Sequence, residues 1–292
     1  MGAEPTRVDY QSQDGVTIAA YRWDPEGEPR AIAQLAHGVG EYARRYQPLV
    51  DDLLAAGYVV FSHDHRGHGN TAASEEEFGK LGQDGWGLLV SDIGRTGELA
   101  KAACPGIPLV LIAHSLGSFA AQQYLLDHSA DVTAVVLSGT AVIDLLEPAM
   151  NLDGPMDLSG FNAPFAPPRT DFDWLSRDNA QVDKYIADAW CGFGLDTEGT
   201  KAMFVAARQL ADSARVAQMR KDLPIYIVVG DRDPVNGGLA LVNELVRRYE
   251  AAGLTDVTLV TWPQARHEVF NESNRDEIVA GMMAWLDRVL PA

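Results

Sequence analysis

Short apolar runs alternate with amphipathic stretches along most of this chain. Runs of five or six apolar residues are typical of strands that are buried on both faces. We predict strands at 31–36, 58–62, 108–113, 132–137, 225–229 and 257–262, most of them runs of this kind. Apolar positions at helical spacing predict helices between them, at 46–54, 86–103, 115–127, 238–252 and 275–290. Two further strands, 6–11 and 16–23, flank Asp14 and Gly15, a pair that favours a hairpin turn. This alternation indicates an α/β fold with a mostly parallel central sheet covered by helices on both faces.

One segment breaks the alternation. Residues 143–219 contain repeated prolines and an unusual density of large apolar side chains. We predict that this segment is an inserted, largely helical cap, or lid, and that residues 1–142 and 220–292 form the core domain. The large apolar residues of the insertion include Phe161, Phe165, Phe172, Trp174, Trp190, Phe193, Met203 and Phe204.

Length and charge narrow the classes of function. A chain of 292 residues suits one α/β domain with an insertion. The formal net charge of -18 repels phosphates, which excludes nucleic-acid binding and disfavours tight binding to anionic membranes. No apolar stretch approaches the roughly 18 residues that a membrane span requires. The first ten residues lack the basic and then apolar pattern of a signal peptide. We therefore expect a cytoplasmic protein with no membrane span and at most transient contact with lipid.

A serine stands where a strand meets a helix. Ala113-His114-Ser115-Leu116-Gly117 follows an apolar strand and begins a helix, which is the setting of the G-x-S-x-G nucleophile elbow, with Ala113 in the first glycine position. The sharp turn lifts the hydroxyl away from the backbone, and the helix N-terminus favours developing negative charge. The alternative is a serine that only caps the helix.

A serine nucleophile needs a base and an acid that orients the base. Asp231 and Asp233 follow the strand at 225–229, and His267 follows the strand at 257–262. The order Ser, Asp, His is the chain order of catalytic triads in folds whose nucleophile stands at such an elbow. Spacing from the strand end does not distinguish the two aspartates, so both remain candidates for the acid.

A glycine-flanked turn supplies a candidate oxyanion hole. His37-Gly38-Val39-Gly40 follows the strand at 31–36, at the edge of the sheet where the serine is expected. In this type of fold the oxyanion is held by the N–H after the nucleophile and by one N–H of this loop. We assign these donors to the backbone N–H groups of Leu116 and Val39.

Five segments together carry a resemblance to a known family. They are H-G-V-G-E-Y-A-R-R-Y (37–46), H-D-H-R-G-H-G (63–69), H-S-L-G (114–117), G-D-R-D-P-V (230–235) and A-R-H-E-V-F-N-E (265–272). In this order they resemble monoacylglycerol lipases and bacterial lysophospholipases of the α/β-hydrolase superfamily. The resemblance covers about residues 10–290 and is weakest in the insertion. It implies Ser115, Asp233 and His267 as the triad, which favours Asp233 over Asp231, and no metal or organic cofactor.

The resemblance also implies the chemistry. We expect a serine esterase that cleaves carboxylic esters of small lipids, of the monoacylglycerol or lysophospholipid type, through an acyl-enzyme. Some of the apolar residues of the insertion are expected to line an acyl pocket, because ligand pockets are mostly apolar. A general short-chain carboxylesterase and an acyltransferase would use the same triad and stay as alternatives. The sequence does not determine the oligomeric state.

Two remoter readings belong to other classes of protein. His63, His65 and His68 resemble the histidine cluster of metal-dependent hydrolases, but Gly67 stands where that cluster has its aspartate ligand. A non-catalytic binding protein with a decayed triad is the second reading, and the presence of all three triad candidates argues against it.

Overall fold

The computed structural model describes residues 2–290. Its strands are β1 (Thr6–Arg7), β2 (Tyr10–Gln11), β3 (Thr17–Ile18), β4 (Ala20–Trp23), β5 (Ala31–Ala36), β6 (Tyr58–His63), β7 (Leu109–His114), β8 (Ala134–Ser138), β9 (Ile225–Gly230) and β10 (Val257–Trp262). Its helices are α1 (Gln47–Ala55), α2 (Gly85–Ala103), α3 (Leu116–His128), α4 (Asn179–Ala187), α5 (Thr197–Ala207), α6 (Ser213–Val216), α7 (Ala240–Ala251) and α8 (Arg275–Val289). The strands and helices predicted outside the N-terminal hairpin are confirmed to within two residues at each end.

Eight strands form one sheet, in the order β1-β4-β6-β5-β7-β8-β9-β10. The pairs from β6 to β10 are parallel, whereas β1 and β4 run antiparallel at one edge. The prediction of a mostly parallel α/β sheet is therefore confirmed. Ligands of such sheets bind beyond the carboxyl ends of the strands. Every sequence motif of the candidate site lies at one of those ends.

Helices cover both faces of the sheet because the central strands are apolar on both sides. Every residue of β5, β6, β7, β8 and β9 is buried. One apolar layer joins the sheet to α2, α3, α7 and the insertion, and the other joins it to α1 and α8. Each fully buried Leu, Ile or Val side chain contributes about 1.5–3 kcal/mol. The strand ends that carry the candidate site therefore belong to a well-packed frame.

The N-terminal hairpin differs from the prediction of two continuous strands. Its turn is present, but the carboxylate of Asp9 accepts a hydrogen bond from the N–H of Ala20 at 3.0 Å. This side chain replaces a backbone partner, so the ladder is interrupted. As a result β2 and β3 form a separate two-stranded sheet, with Tyr10 opposite Ile18, while β1 and β4 extend the main sheet.

The segment between β8 and β9 forms α4, α5, α6 and several short 3₁₀ turns. Aspartates begin each of these helices: the carboxylates of Asp178, Asp196 and Asp212 accept backbone N–H groups of the first turn. Such caps stabilise a helix by about 1 kcal/mol each. None of the helices within residues 2–290 combines the length and the apolar composition that a membrane-spanning helix needs. A cytoplasmic location stays a prediction.

Candidate active site

Ser115 occupies a strained turn between β7 and α3. Its φ of 48° and ψ of -119° are rare for a residue with a side chain, and conformations of this kind cost about 1–3 kcal/mol. The turn requires a close approach of α3 to β5. A Cβ on Gly117 would lie 2.4 Å from the carbonyl oxygen of Ala36, so glycine is needed there. Ala113 is fully buried within β7, and its methyl group fits in the first glycine position of the elbow.

The three residues of the candidate triad form one chain of hydrogen bonds. The Ser115 hydroxyl donates to Nε2 of His267 at 2.9 Å, and Nδ1–H of His267 donates to Oδ2 of Asp233 at 2.9 Å. Burial alone would lower the pKa of His267, but attraction and hydrogen bonding to Asp233, with smaller effects of Glu268 and Glu41, raise it above its usual value. The geometry is that of a nucleophile, a base and an orienting acid.

The two aspartates after β9 have different partners. Asp233 is buried, and its second oxygen accepts a hydrogen bond from the N–H of Val235 at 2.9 Å. Asp231 is half-buried and instead accepts from the N–H of Gln264 at 2.7 Å. The structure therefore brings Asp233, and not Asp231, to the imidazole. The catalytic roles of these residues stay predictions.

The two predicted oxyanion donors lie beside the serine. Val39 and Leu116 line the same cavity as Ser115. In the part of the chain that the structure describes, neither N–H group donates to a protein acceptor. The loop of Val39 is held on both sides, because the N–H of Gly38 donates to Glu41 at 2.6 Å and the ring of His37 accepts from the N–H of His65 at 2.9 Å.

The histidines of the 63–69 loop brace this oxyanion loop. His65 bonds through Nε2 to the carbonyl oxygen of His37 and through Nδ1 to Nε2 of His63. Burial lowers the pKa of each of these imidazoles, and lowers that of His68 to about 4. Within residues 2–290, no group of three or more His, Cys, Asp or Glu side chains has the arrangement of a metal site. The ring nitrogens of His65 serve the polypeptide itself, which is the structural role of the cluster.

A buried ion-pair cluster, which the sequence motifs did not predict, lies beside the triad. The guanidinium of Arg45 donates to Glu41 at 2.7 Å and to both oxygens of Glu268 at 2.5 and 2.7 Å. Tyr46 donates to Glu41 at 2.7 Å, and burial raises the pKa of that carboxyl group. The cluster joins the loop of Val39 to the loop of His267. Arg45 and Glu41 belong to the motif 37–46, and Glu268 belongs to the motif 265–272. These two motifs were the only sequence signal that could have pointed to the cluster.

A narrow apolar cavity lies above Ser115. Its volume is about 40 Å³, room for little more than one or two water molecules, so a larger substrate must displace side chains to enter. Two larger grooves of mixed polarity exist elsewhere on the surface, and Ser115 lines neither of them. The insertion contributes most of the wall: Ile143, Leu146, Met150, Met156, Leu158, Phe161, Trp174, Met203 and Phe204.

Four of the apolar residues named in the sequence analysis line this cavity: Phe161, Trp174, Met203 and Phe204. The other four do not, because each packs elsewhere. Phe165 lies under the guanidinium of Arg266, and Phe172 packs on Tyr185. Trp190 contacts Tyr42, and Phe193 stacks on Phe78. These four residues therefore do not line the cavity. They make contacts within the insertion or between the insertion and the core.

Comparison with known proteins identifies the family. A family model described as serine aminopeptidase, S33, matches residues 27–274. The chain belongs to this family of α/β-hydrolases. It is 30% identical over 278 residues to a monoacylglycerol lipase of Mycolicibacterium smegmatis, with 93% of each chain covered. It is 25% identical to the human monoglyceride lipase, covering 92% of this chain and 91% of that one.

A solved structure gives the same assignment. The thermostable carboxyl esterase of Bacillus coagulans superposes with a TM-score of 0.85 over 98% of both chains, at 26% identity. Membership of the family and these relatives confirm two predictions: the α/β-hydrolase fold and an enzyme of the serine ester hydrolase class. The substrate and the catalytic residues are taken up as proposals.

Proposed function

We propose that this family member hydrolyses monoesters of small lipids, monoacylglycerols first, through an acyl-enzyme on Ser115. The observation that carries the proposal is the hydrogen-bonded chain of Ser115, His267 and Asp233 at the floor of an apolar cavity. Relatives that are named monoacylglycerol lipase and monoglyceride lipase, and that align over nearly the whole chain, support this substrate class. A hydroxyl bonded to an imidazole can attack a carbonyl, and apolar walls suit an acyl chain.

In the proposed reaction His267 takes the proton of Ser115 as Oγ attacks the ester carbonyl. The N–H groups of Val39 and Leu116 hold the resulting oxyanion, and each such donor is worth about 3–4 kcal/mol in the transition state. The imidazolium then protonates the leaving alcohol, which departs and leaves the acyl group on Oγ. Water repeats the cycle and releases the carboxylic acid. Asp233 holds the imidazole in the tautomer that can accept the serine proton.

Residues 143–219 act in this proposal as the cap over Ser115. They supply Met203, Phe204, Trp174 and Phe161 to the cavity wall, opposite the strand ends of the core. The net charge of -18 disfavours substrates with anionic head groups. Neutral glycerol esters and zwitterionic lysophospholipids carry no net negative charge, so the protein does not repel them.

A short-chain carboxylesterase is the second candidate. The 40 Å³ cavity favours it, because an acetyl group requires far less displacement of the wall than a long acyl chain. The similarity to a carboxyl esterase of Bacillus coagulans points the same way.

The deciding measurement is kcat/KM for glycerol monoesters with acyl chains from two to sixteen carbons. We expect a rise with chain length up to an optimum of medium length, because each buried CH₂ contributes up to about 0.8 kcal/mol. If kcat/KM is highest for the acetyl ester, the lipid-esterase proposal is refuted and the enzyme is a short-chain carboxylesterase. Fluorophosphonate labelling of the wild type, with Ser115→Ala as the control, tests the acyl-enzyme separately from the substrate.

A further inference from the structure

The loop that carries His267 is bonded to the insertion along its length. We call residues 173–177 of the insertion the strap. The N–H of His267 donates to the carbonyl oxygen of Trp174 at 3.3 Å, and the N–H of Glu268 donates to that of Leu175 at 2.8 Å. The hydroxyl of Ser176 donates to the carbonyl oxygen of Asn271 at 2.8 Å. The candidate base therefore rests on the strap as well as on the core.

One buried carboxylate joins the two segments. The side chain of Glu272 is fully buried and accepts the backbone N–H of Arg266, next to His267, at 2.8 Å. The same carboxylate accepts two donors from Arg177 of the strap: its N–H at 3.2 Å and its Nε–H at 2.8 Å. The N–H of Ser273 is a fourth donor, at 3.0 Å. These four bonds match the capacity of a carboxylate and leave it no free role in chemistry.

The strap also contacts the imidazole itself. The indole of Trp174 lies 4.9 Å from the ring of His267 between centroids, and its backbone N–H donates to Asn162 at 3.0 Å. Trp174 lines the cavity above Ser115 as well. The guanidinium of Arg266 donates to the carbonyl oxygen of Ser176 at 3.0 Å. A shift of the strap would therefore move the wall of the cavity and the base together.

We propose that Glu272, held by Arg177, is a positioning residue for His267, so that the strap is required for proton transfer and not only for binding the acyl chain. The inference rests on the proposed role of His267 as the base. Proton transfer needs the base within hydrogen-bond distance of the serine, and a misplacement of about 1 Å can cost 100-fold in rate. Glu272 touches no reacting atom and acts through the loop.

The test compares Glu272→Gln and Arg177→Met on p-nitrophenyl acetate, an ester too short to need the cavity wall. We expect each variant to lower kcat by about 10- to 100-fold while KM changes less than about two-fold. The double variant should be scarcely worse than either single one, because both variants break the same hydrogen bond between the side chains of Arg177 and Glu272. Asp256→Asn is the control, since Asp256 binds Arg288 through both oxygens at 2.8 and 2.9 Å and directly precedes β10, at the edge of the sheet opposite the strand ends that carry Ser115. It should keep its kcat.

The pH profile separates positioning from a charge effect. His267 faces Asp233, Glu268, Glu41 and His114, and neither variant alters these groups. Positioning predicts that both variants move the acidic limb of kcat/KM to lower pH, because both loosen the contact with Asp233. A direct charge effect predicts opposite movements, since one variant removes a negative and the other a positive charge.

Three outcomes overturn the proposal: a folded Glu272→Gln enzyme with unchanged kcat, additive effects in the double variant, or limbs that move in opposite directions. Circular dichroism and thermal unfolding establish folding, and Arg177→Met alone carries the test if Glu272→Gln does not fold. Fluorophosphonate labelling of the wild type distinguishes the two proposals. An unlabelled Ser115 would refute the proposed function, whereas a labelled Ser115 with normal Glu272→Gln kinetics would refute the positioning role only.

Discussion

Replacement of Asp233 by asparagine should switch the imidazole of His267 to its other neutral tautomer. One oxygen of Asp233 accepts the N–H of Val235 and the other accepts Nδ1–H of His267, both at 2.9 Å. In Asp233→Asn the amide oxygen must stay on the Val235 side, because an amide NH₂ cannot accept that N–H. The NH₂ group then faces Nδ1, which must become the acceptor. The proton of the imidazole moves to Nε2, where it points at Ser115 and blocks the transfer of the serine proton.

The expected loss in kcat is on the order of 10⁴, the size seen when another triad is set in the wrong tautomer. At about 1.36 kcal/mol per factor of ten, this corresponds to roughly 5.4 kcal/mol of transition-state stabilisation. The assay is steady-state hydrolysis of a p-nitrophenyl ester at pH 8, with folding checked by thermal unfolding. Asp233→Asn is close in volume to the wild type, so the fold should persist.

Asp231→Asn is the matched control for Asp233→Asn. Its amide oxygen can keep the hydrogen bond from the N–H of Gln264, and Asp231 does not contact His267. We expect its kcat to stay within about three-fold of the wild type. Retention of more than about 1% of kcat by Asp233→Asn would contradict the tautomer argument. A reversed ranking of the two variants would make Asp231 the acid.

Three further predictions follow from the same geometry. Ser115→Ala and His267→Ala should each abolish esterase activity, and the double variant should be scarcely worse in kcat than either one, because the triad acts as a unit; residual activity above a few per cent would reject the assignment. Activity requires neutral His267, whose pKa is raised, so kcat/KM should fall as pH drops through a midpoint above about 6.5; a midpoint below 6 would contradict the contact with Asp233. Met203→Ala should enlarge the cavity and move the optimum of kcat/KM to a longer acyl chain; an unchanged optimum would exclude Met203 from the acyl site.

The sequence by itself determined the frame of the molecule. Apolar runs are typical of strands buried on both faces, and β5 has the predicted bounds, residues 31–36, inside the sheet. The strand β10 also has its predicted bounds, residues 257–262, but it is the half-buried strand at the edge of the sheet. The elbow around Ser115 is also local, since a strand, a small residue and a helix start are adjacent in the chain. Parallel strands end at one edge, so the sequence alone placed the motifs of Ser115, Asp233 and His267 on the same side.

Only the tertiary structure decided which groups meet at that edge. Asp231 and Asp233 follow the same strand, and what separates them is which carboxylate the turn after β9 directs at an imidazole 34 residues away. Arg45 and Glu268 are 223 residues apart along the chain, and Arg177 and Glu272 are 95 residues apart. Local sequence patterns therefore cannot predict that these residues pair. Apolar residues of the insertion are alike in sequence, yet Phe204 lines the cavity and Phe193 stacks on Phe78. Contacts across such separations depend on how whole elements pack, which periodicity and spacing do not encode.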